Sequence, residues 1–317
     1  MRVPRGRAGG ALGLALVGFL GFAYAEPVAV FEAWGALRLR LSGVRSRHVV
    51  AGPYRLHYLE AGAGPPVLLV HGLASSATQD WSRLIAPLGQ RFHVFAPDLP
   101  GFGESERPPE ADYSIPMQVE AVRGFMDAVG LHRARVAGLS MGGWIVCRLA
   151  GSHPERVERL VVVDAAGMRP DGPAIPAEVL LPQDVDGVRR LAAAVRHKAP
   201  VPPSFVARDI LARRLREEWV VRRTLASMGE GRDWLNGTLG RADMPVLVVW
   251  GKQDALIPVA YAAALAAEFP RAELRVLDGC GHVPIADCPE AFDREVVAFL
   301  AAGEGRQAVA GAGDRQK

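Results

Sequence analysis

The sequence predicts an α/β protein with a mostly parallel central sheet that is covered by helices. Short, continuous runs of Val and Leu recur along the chain, which is typical of strands buried on both faces of a sheet. Amphipathic segments of helix length lie between these runs, as in βαβ units. The alternation is interrupted once, by a long stretch without a strand-like run. Because 50% of the 317 residues are hydrophobic, a sizeable core is expected.

Residues 1–25 are predicted to be a signal peptide or a membrane anchor. Arg2, Arg5 and Arg7 precede an apolar run, Ala11 to Ala25, which ends in the triplet Ala-Tyr-Ala. A basic start, a short apolar run and an A-x-A ending are the parts of a secretory signal. The run is shorter than the roughly 20 apolar residues of a spanning helix, yet apolar neighbours extend it. Both readings stay open, and we expect an exported (periplasmic or secreted) or membrane-anchored protein.

Residues 26–47 are predicted to form an amphipathic segment. Trp34, Leu37 and other apolar residues alternate there with Arg38 and Arg40. Basic and large apolar side chains on one helix favour a position on a membrane surface. We therefore expect membrane association through the N-terminus.

The α/β core is predicted in residues 48–165 and 242–302. The predicted strands are Val49–Leu59, Val67–Val70, His93–Ala96, Arg135–Ala137, Leu160–Val163, Val246–Trp250 and Leu274–Leu277. The helix-length segments between them include Ile115–Val129, Gly142–Ala150 and Tyr261–Glu268. Strands that each feed a helix place their carboxyl ends at one edge of the sheet, where open α/β sheets hold their functional groups.

Residues 166–241 are predicted to be a helical cap inserted between two strands of the sheet. Prolines punctuate this stretch, and it has no strand-like run. It would cover the pocket, and its apolar residues Leu180, Leu181, Phe205, Trp219 and Trp234 are candidates for contact with a substrate chain, although packing between cap and core must account for most of them. Residues 303–317, rich in Gly, Ala and charged residues, are predicted to be a disordered tail.

Charge and cysteine content narrow the range of partners. The formal net charge is only +3 and the basic residues are scattered, so we expect no nucleic-acid partner. Three cysteines without a CxxC motif argue against a zinc site and a disulfide scaffold. A Cys280–Cys288 disulfide is compatible with an exported protein and stays open.

The segment Gly138-Leu139-Ser140-Met141-Gly142 is the strongest functional signal. It follows a predicted strand and opens a predicted helix. In that context the G-x-S-x-G pattern forms a sharp turn that lifts the serine hydroxyl above the sheet. The positive end of the helix dipole favours negative charge at that point. Ser140 is therefore the candidate nucleophile, the alternative being an ordinary helix-capping serine.

Two later residues can activate a serine hydroxyl, which is a weak nucleophile by itself. Asp254 follows the strand Val246–Trp250, and His282 follows the last strand in a glycine-rich loop. We expect His282 to accept the serine proton and Asp254 to hold its imidazole in the required tautomer. Asp164, at the end of another strand, is the rival acid.

Two backbone N–H groups are expected to form the oxyanion hole. One belongs to Met141, directly after the nucleophile, and the other to Leu73, in the loop after the strand Val67–Val70. His71 is predicted to shape that loop rather than to act as a second base. The Gly/Pro-rich segment Asp98–Ser105 is predicted to be a rigid loop at the edge of the site.

Together, five segments resemble the α/β-hydrolase family in content and spacing. They are HGLASS at 71–76, DLPGFGES at 98–105, GLSMGG at 138–143, WGKQDALIP at 250–258 and GCGH at 279–282. The resemblance covers residues 48–302 and implies the α/β-hydrolase fold with a cap. Within the family the chain is most similar to capped bacterial lipases and esterases, including monoacylglycerol lipase-like members.

The resemblance implies a serine hydrolase that cleaves carboxylic esters, with a small-molecule or lipid ester as substrate and no cofactor or metal. Two other activities use the same triad, namely hydrolysis of lactones and of carbon–carbon bonds in ring-fission products. The loop after His71 lacks the GxGPG-type pattern, which weakens the latter. A non-catalytic binding protein is the remote alternative. Such proteins usually lack a triad member, whereas Ser140, Asp254 and His282 are all present here. The acyl chain, the alcohol and the oligomeric state are not determined by these motifs.

Overall fold

A computed structural model describes residues 21–169 and 177–302. Most of the predicted signal or anchor segment, a short part of the predicted cap and the predicted tail therefore lie outside the described residues. Residues 21–25 are helical and lead into the first full helix. Among the described residues, no helix is both long and apolar enough to cross a membrane.

Eight strands form one sheet in the order β1-β2-β4-β3-β5-β6-β7-β8. The strands are β1 (Arg45–Ala51), β2 (Tyr54–Ala61), β3 (Pro66–Val70), β4 (His93–Pro97), β5 (Ala134–Leu139), β6 (Val157–Val163), β7 (Val246–Gly251) and β8 (Ala272–Leu277). β2 pairs antiparallel with β1 and β4, and all the other pairs are parallel. The prediction of a mostly parallel sheet is confirmed.

Helices cover both faces of this sheet. They are α1 (Pro27–Leu41), α2 (Ala77–Leu88), α3 (Ile115–Ala128), α4 (Met141–Ser152), α5 (Ala177–Leu180), α6 (Val185–Val195), α7 (Ser204–Gly229), α8 (Ala260–Ala267), α9 (Pro284–Asp287) and α10 (Pro289–Ala301). Leu68 and Val70 pack on the face that holds α3 and α4, whereas Val67 and Leu69 pack on the opposite face against α2 and α10. This alternation explains why the central part of β3 is hydrophobic at every position.

The predicted single strand Val49–Leu59 is wrong. The structure has two antiparallel strands there, β1 and β2, with Ala51 opposite Tyr54. Gly52 has φ +59 and precedes a proline, so the chain turns within the apolar run. The sheet also begins at Arg45, three residues before the predicted boundary of the core.

The segment between β6 and β7 contains α5, α6 and α7 and no strand among its described residues. α7 is 26 residues long and lies over the sheet edge, where Val220 of α7 is close to Gly101 and Trp219 packs edge-on against Tyr113. The arrangement places a helical layer above the carboxyl ends of the strands.

α1 packs on the outer end of α7 through a polar junction. Arg213 of α7 forms ion pairs with Glu26 and Glu32, and the Asp209 carboxylate accepts the Val28 N–H at 2.9 Å. Leu39 is the buried residue of α1, whereas most of its large apolar side chains are exposed. The helix therefore presents an apolar face that this chain does not cover within the described residues.

Cys280 and Cys288 form a disulfide with a Cα–Cα distance of 5.8 Å. The bond closes the loop that carries His282. A closure of this length stabilises the folded state by about 2–3 kcal/mol in the chain-entropy treatment. Cys147 is free and buried, and burial raises the pKa of its thiol.

Candidate active site

Ser140 lies in a strained turn between β5 and α4. Its φ is +57, a left-handed value that is unusual for a residue with a side chain. A Cβ at Gly138 would meet the carbonyl of Gly142, and one at Gly142 would meet the carbonyls of Val70 and His71. The two glycines of the motif are therefore required by close backbone approach. The turn leaves Ser140 partly exposed at the N-terminus of α4.

His282 and Asp254 form a buried pair at the same edge of the sheet. His282 Nδ1 lies 2.7 Å from Asp254 Oδ2. Asp254 Oδ1 accepts the N–H groups of Leu256 and Ile257, each at 2.8 Å. Because both carboxylate oxygens of Asp254 are hydrogen-bonded, the side chain is held in one orientation. Its hydrogen bond is to Nδ1 of His282, so Nε2 is free to bind another partner.

Asp164, the rival acid, does not make the hydrogen bond to His282. Its Oδ1 accepts the Gly251 N–H at 2.8 Å, and its carboxyl group lies beside that of Asp254. Ligand-type atoms of Asp164, Asp254 and His282 lie within 4.8 Å of one another, close enough for a metal site. His282 Nδ1 and Asp254 Oδ2 are, however, hydrogen-bonded directly to each other, which favours an acid–imidazole pair over a metal site.

The loop after β3 lies against the nucleophile. A Cβ at Gly72 would be 3.3 Å from the Ser140 Cβ, and the Gly72 N–H donates to the Asp80 carboxylate at 2.8 Å. Among the described residues, no hydrogen bond uses the N–H of Leu73 or of Met141. Both predicted donors are thus available to an oxyanion.

His71 is buried and links this loop to the next one. Its Nε2 accepts the Leu99 N–H at 2.9 Å, so Nδ1 carries the proton and donates to the Gly72 carbonyl at 2.8 Å. With both ring nitrogens used in this way, His71 shapes the loop as predicted from its position.

The sequence matches a family described as alpha/beta hydrolase fold over residues 65–205 and 202–289. These ranges contain Ser140, Asp254 and His282. The chain belongs to the α/β-hydrolase family.

Relatives of this α/β hydrolase include proteins with two kinds of named activity. It is 30% identical over 275 residues to a 2-hydroxymuconate semialdehyde hydrolase of Pseudomonas sp., covering 80% of this chain and 93% of the relative. It is 26% identical over 318 residues to a monoacylglycerol lipase of Xenopus laevis, covering 92% and 93%. A crystal structure of a membrane phospholipase A, a bacterial virulence factor, has 29% identity and a TM-score of 0.81, covering 92% and 96%.

Apart from Ser140, Asp254 and His282, the hydrolase contains a hydrogen-bonded Ser–His–Asp chain on the antiparallel side of the sheet. Ser46 Oγ lies 2.9 Å from His57 Nε2, and His57 Nδ1 lies 2.8 Å from Asp98 Oδ2. Ser46 sits within strand β1 rather than at a helix N-terminus, so it lacks the strained turn of Ser140. Asp98 also accepts the N–H groups of Ala77 and Glu104, which indicates a brace between loops.

The aromatic residues predicted for the cap mostly contact other parts of the hydrolase. Trp234 stacks on Trp144 of α4 at 5.2 Å, and Phe205 stacks on Tyr24 at 5.0 Å. Leu181 is buried in the core, while Trp219 is 38% exposed. Packing against other parts of the chain thus accounts for most of these apolar side chains.

The sequence analysis did not identify two acidic residues that hold loops of the site. Asp80 holds Gly72, and Asp287 accepts the N–H groups of Gly281 and His197 at 3.0 and 2.8 Å. Asp287 also forms an ion pair with Arg196 at 2.7 Å. Neither acid stands in a recognisable motif, because the backbone groups they bind come together only in the fold.

Proposed function

We propose that the protein is a serine hydrolase that cleaves carboxylic esters of lipid-like substrates. The observation that carries this proposal is the buried hydrogen bond between His282 and Asp254 at the sheet edge where Ser140 occupies its strained turn. A histidine oriented in this way can act as a general base toward a nearby hydroxyl.

The proposed reaction proceeds through an acyl-enzyme. Ser140 Oγ attacks the ester carbonyl while His282 Nε2 takes its proton, and Asp254 stabilises the imidazolium that results. The N–H groups of Leu73 and Met141 stabilise the oxyanion. His282 then protonates the leaving alcohol and activates the water that releases the acid. These steps use no metal or organic cofactor.

A lipid ester is favoured over other substrates by the extent of the lipase-like matches. The monoacylglycerol lipase and the membrane phospholipase A each cover 92% of this chain, compared with 80% for the 2-hydroxymuconate semialdehyde hydrolase. The exposed apolar face of α1 is a second reason, since it suits an enzyme that meets its substrate at a lipid surface.

Hydrolysis of a carbon–carbon bond in a ring-fission product is the second candidate. The identity to 2-hydroxymuconate semialdehyde hydrolases, which reaches 33% over 281 residues for that of Pseudomonas putida, favours it. Hydrolysis of a lactone needs no change in the proposed machinery and is tested by the same substrate panel.

An exported or membrane-attached location is also part of the proposal. The Cys280–Cys288 disulfide suits an oxidising compartment, and the N-terminus has the composition of a signal peptide or anchor. The apolar face of α1 would then rest on the membrane surface.

The first test measures kcat/KM for p-nitrophenyl esters from acetate to palmitate, for monoacylglycerols, for a simple lactone and for a ring-fission dienoate. Ser140→Ala is expected to lower ester turnover on the order of 10⁶-fold. Ser46→Ala is the matched control, because Ser46 belongs to the other Ser–His–Asp chain, and it should retain activity.

Either part of the proposal can fail separately. Unchanged ester hydrolysis by Ser140→Ala would remove the nucleophile assignment. A dienoate or lactone that is turned over faster than every ester would keep the triad and replace the substrate class.

A further inference from the structure

Asp164 occupies an unusual position for a carboxyl group. It follows β6 with φ +41, and its side chain is fully buried. Oδ1 accepts one N–H group, from Gly251, whereas Oδ2 has no donor among the described residues. A buried carboxylate with a single donor is costly, so the negative form of this group is disfavoured.

Asp254, whose carboxyl group has an oxygen within 4.8 Å of one of Asp164, has the opposite environment. It receives two backbone N–H groups on one oxygen and faces the His282 imidazole with the other. Hydrogen bonds to a carboxylate favour its charged form, and two adjacent carboxylates disfavour double ionisation. The three donors of Asp254 therefore assign the charge to Asp254 and leave the proton on Asp164.

We propose that Asp164 is a neutral carboxylic acid whose O–H group donates a hydrogen bond to the Asp254 carboxylate, and that it is a positioning residue for the Asp254–His282 pair. The inference rests on the proposed function, because it gives Asp164 a role through the triad. The proton stays on Asp164 throughout turnover, and Asp164 does not contact the substrate. Its hydrogen bond orients Asp254. It also stabilises part of the negative charge on the Asp254 carboxylate, which weakens the electrostatic attraction between that carboxylate and His282.

The charges around Asp164 agree with this assignment. Burial raises the pKa of Asp164 well above its ordinary value, and the negative charges of Asp254 and Asp287 act in the same direction. His282 is the one group of opposite sign that forms during the reaction, and it is hydrogen-bonded to Asp254 rather than to Asp164. Arg196, a permanent cation on the segment after α6, is paired with Asp287.

The test compares Asp164→Asn with Asp164→Ala in the pH dependence of kcat and kcat/KM on one ester. Asparagine is the isostere of a protonated aspartic acid, since its oxygen can accept the Gly251 N–H and its NH₂ group can donate to Asp254. Asp164→Asn should keep kcat within about threefold and the acidic limb of the profile within about 0.3 pH unit. Asp164→Ala should lower kcat roughly tenfold and move that limb up by about half a unit, because an unshared Asp254 charge makes His282 more basic.

Two results would overturn the proposal. If Asp164→Asn moves the acidic limb down by about one unit or more, a negative charge has been removed and Asp164 was ionised. If Asp164→Ala matches the wild type in kcat and pH profile, the hydrogen bond positions nothing.

A spectroscopic measurement covers the case in which Asp164→Ala does not fold. The infrared spectrum of the folded protein at neutral pH should contain the C=O stretching band of a protonated carboxyl group that Asp164→Asn lacks. Absence of that band in the wild type overturns the proposal. The band does not depend on turnover, so this result is separable from a failure of Ser140→Ala to abolish ester hydrolysis.

Discussion

At the scale of single residues, the tautomer of His282 is decided by the acid that faces it. Asp254 presents one oxygen to His282 Nδ1 and gives the other to two backbone N–H groups. The backbone contacts prevent the carboxylate from rotating. Nδ1 therefore carries the proton, and Nε2 keeps the lone pair that the proposed reaction uses.

Asp254→Asn should inactivate the enzyme without unfolding it. The amide oxygen can still accept the N–H groups of Leu256 and Ile257, which turns the NH₂ group toward His282 Nδ1. The imidazole would then carry its proton on Nε2 and lose its function as a base, so kcat should fall by about 10⁴. Steady-state kinetics on an ester check the loss, and circular dichroism checks the fold. Near-full activity would transfer the role of the acid to Asp164.

At the scale of elements, the loop that carries His282 is attached to the cap. Asp287, at the end of α9, holds Gly281 of that loop and His197 and Arg196 of the segment after α6. Burial tends to raise the pKa of Asp287, but the hydrogen bonds from Arg196, His197 and Gly281 outweigh it and hold the pKa below its ordinary value. The disulfide closes the same loop from the other side.

The contribution of Asp287 to stability should disappear in acid. Since its pKa is lower in the folded than in the unfolded state, the contribution is complete above the unfolded value of about 3.9 and is lost as the pH falls through the folded value. Asp287→Asn should lower the free energy of unfolding by about 1–3 kcal/mol at pH 7. The difference from the wild type should shrink in acid.

Urea unfolding curves recorded across the acidic range measure this difference. Asp243→Asn, at an exposed acid, is the matched control and should follow the wild type at every pH. A deficit of Asp287→Asn that is the same in acid as at neutral pH would mean that the side chain contributes by packing and not by charge.

At the scale of the whole molecule, α1 leaves an apolar face beside the cap. Phe31, Trp34 and Leu41 are 76%, 59% and 78% exposed. Ion pairs of Arg213 and the stacking of Tyr24 on Phe205 fix the helix to α7 on its other side. The apolar face of α1 is thus connected directly to α7. Contact of that face with a lipid surface would place the cap next to the lipid.

Replacing Phe31 and Trp34 by serine should weaken binding to phospholipid vesicles by roughly tenfold or more. Burial of each large side chain in a membrane contributes about 1.5–3 kcal/mol. Vesicle co-sedimentation measures binding, and turnover of a soluble short-chain ester should stay unchanged because neither residue is near the triad. Val50→Ser, which alters an exposed residue of β1, is the control. Undiminished vesicle binding by the double variant would remove α1 as the contact.

Local patterns were sufficient for most of the sheet, and they nominated Ser140, Asp254 and His282 as site residues. The runs Val67–Val70, Leu160–Val163 and Val246–Trp250 are hydrophobic at every position because helices cover both faces, and that burial leaves a signal in the sequence. The strained turn at Ser140 needs small residues on either side, so the motif Gly138–Gly142 is visible as well. The hairpin of β1 and β2 was missed because its turn lies within one apolar run.

The contacts between distant residues were decided by the tertiary structure alone. The sequence favoured Asp254 over Asp164 as the acid, but its hydrogen bond to His282 depends on the positions of neighbouring strand ends, which no local pattern encodes. The Cys280–Cys288 disulfide and the hydrogen bond from the His197 N–H to Asp287 likewise depend on the tertiary structure. By itself, the sequence determined the mostly parallel sheet and nominated Ser140, Asp254 and His282, because propensity and burial act over a few residues. Only the fold decided which acid serves the histidine, because hydrogen bonds depend on distances between atoms far apart along the chain.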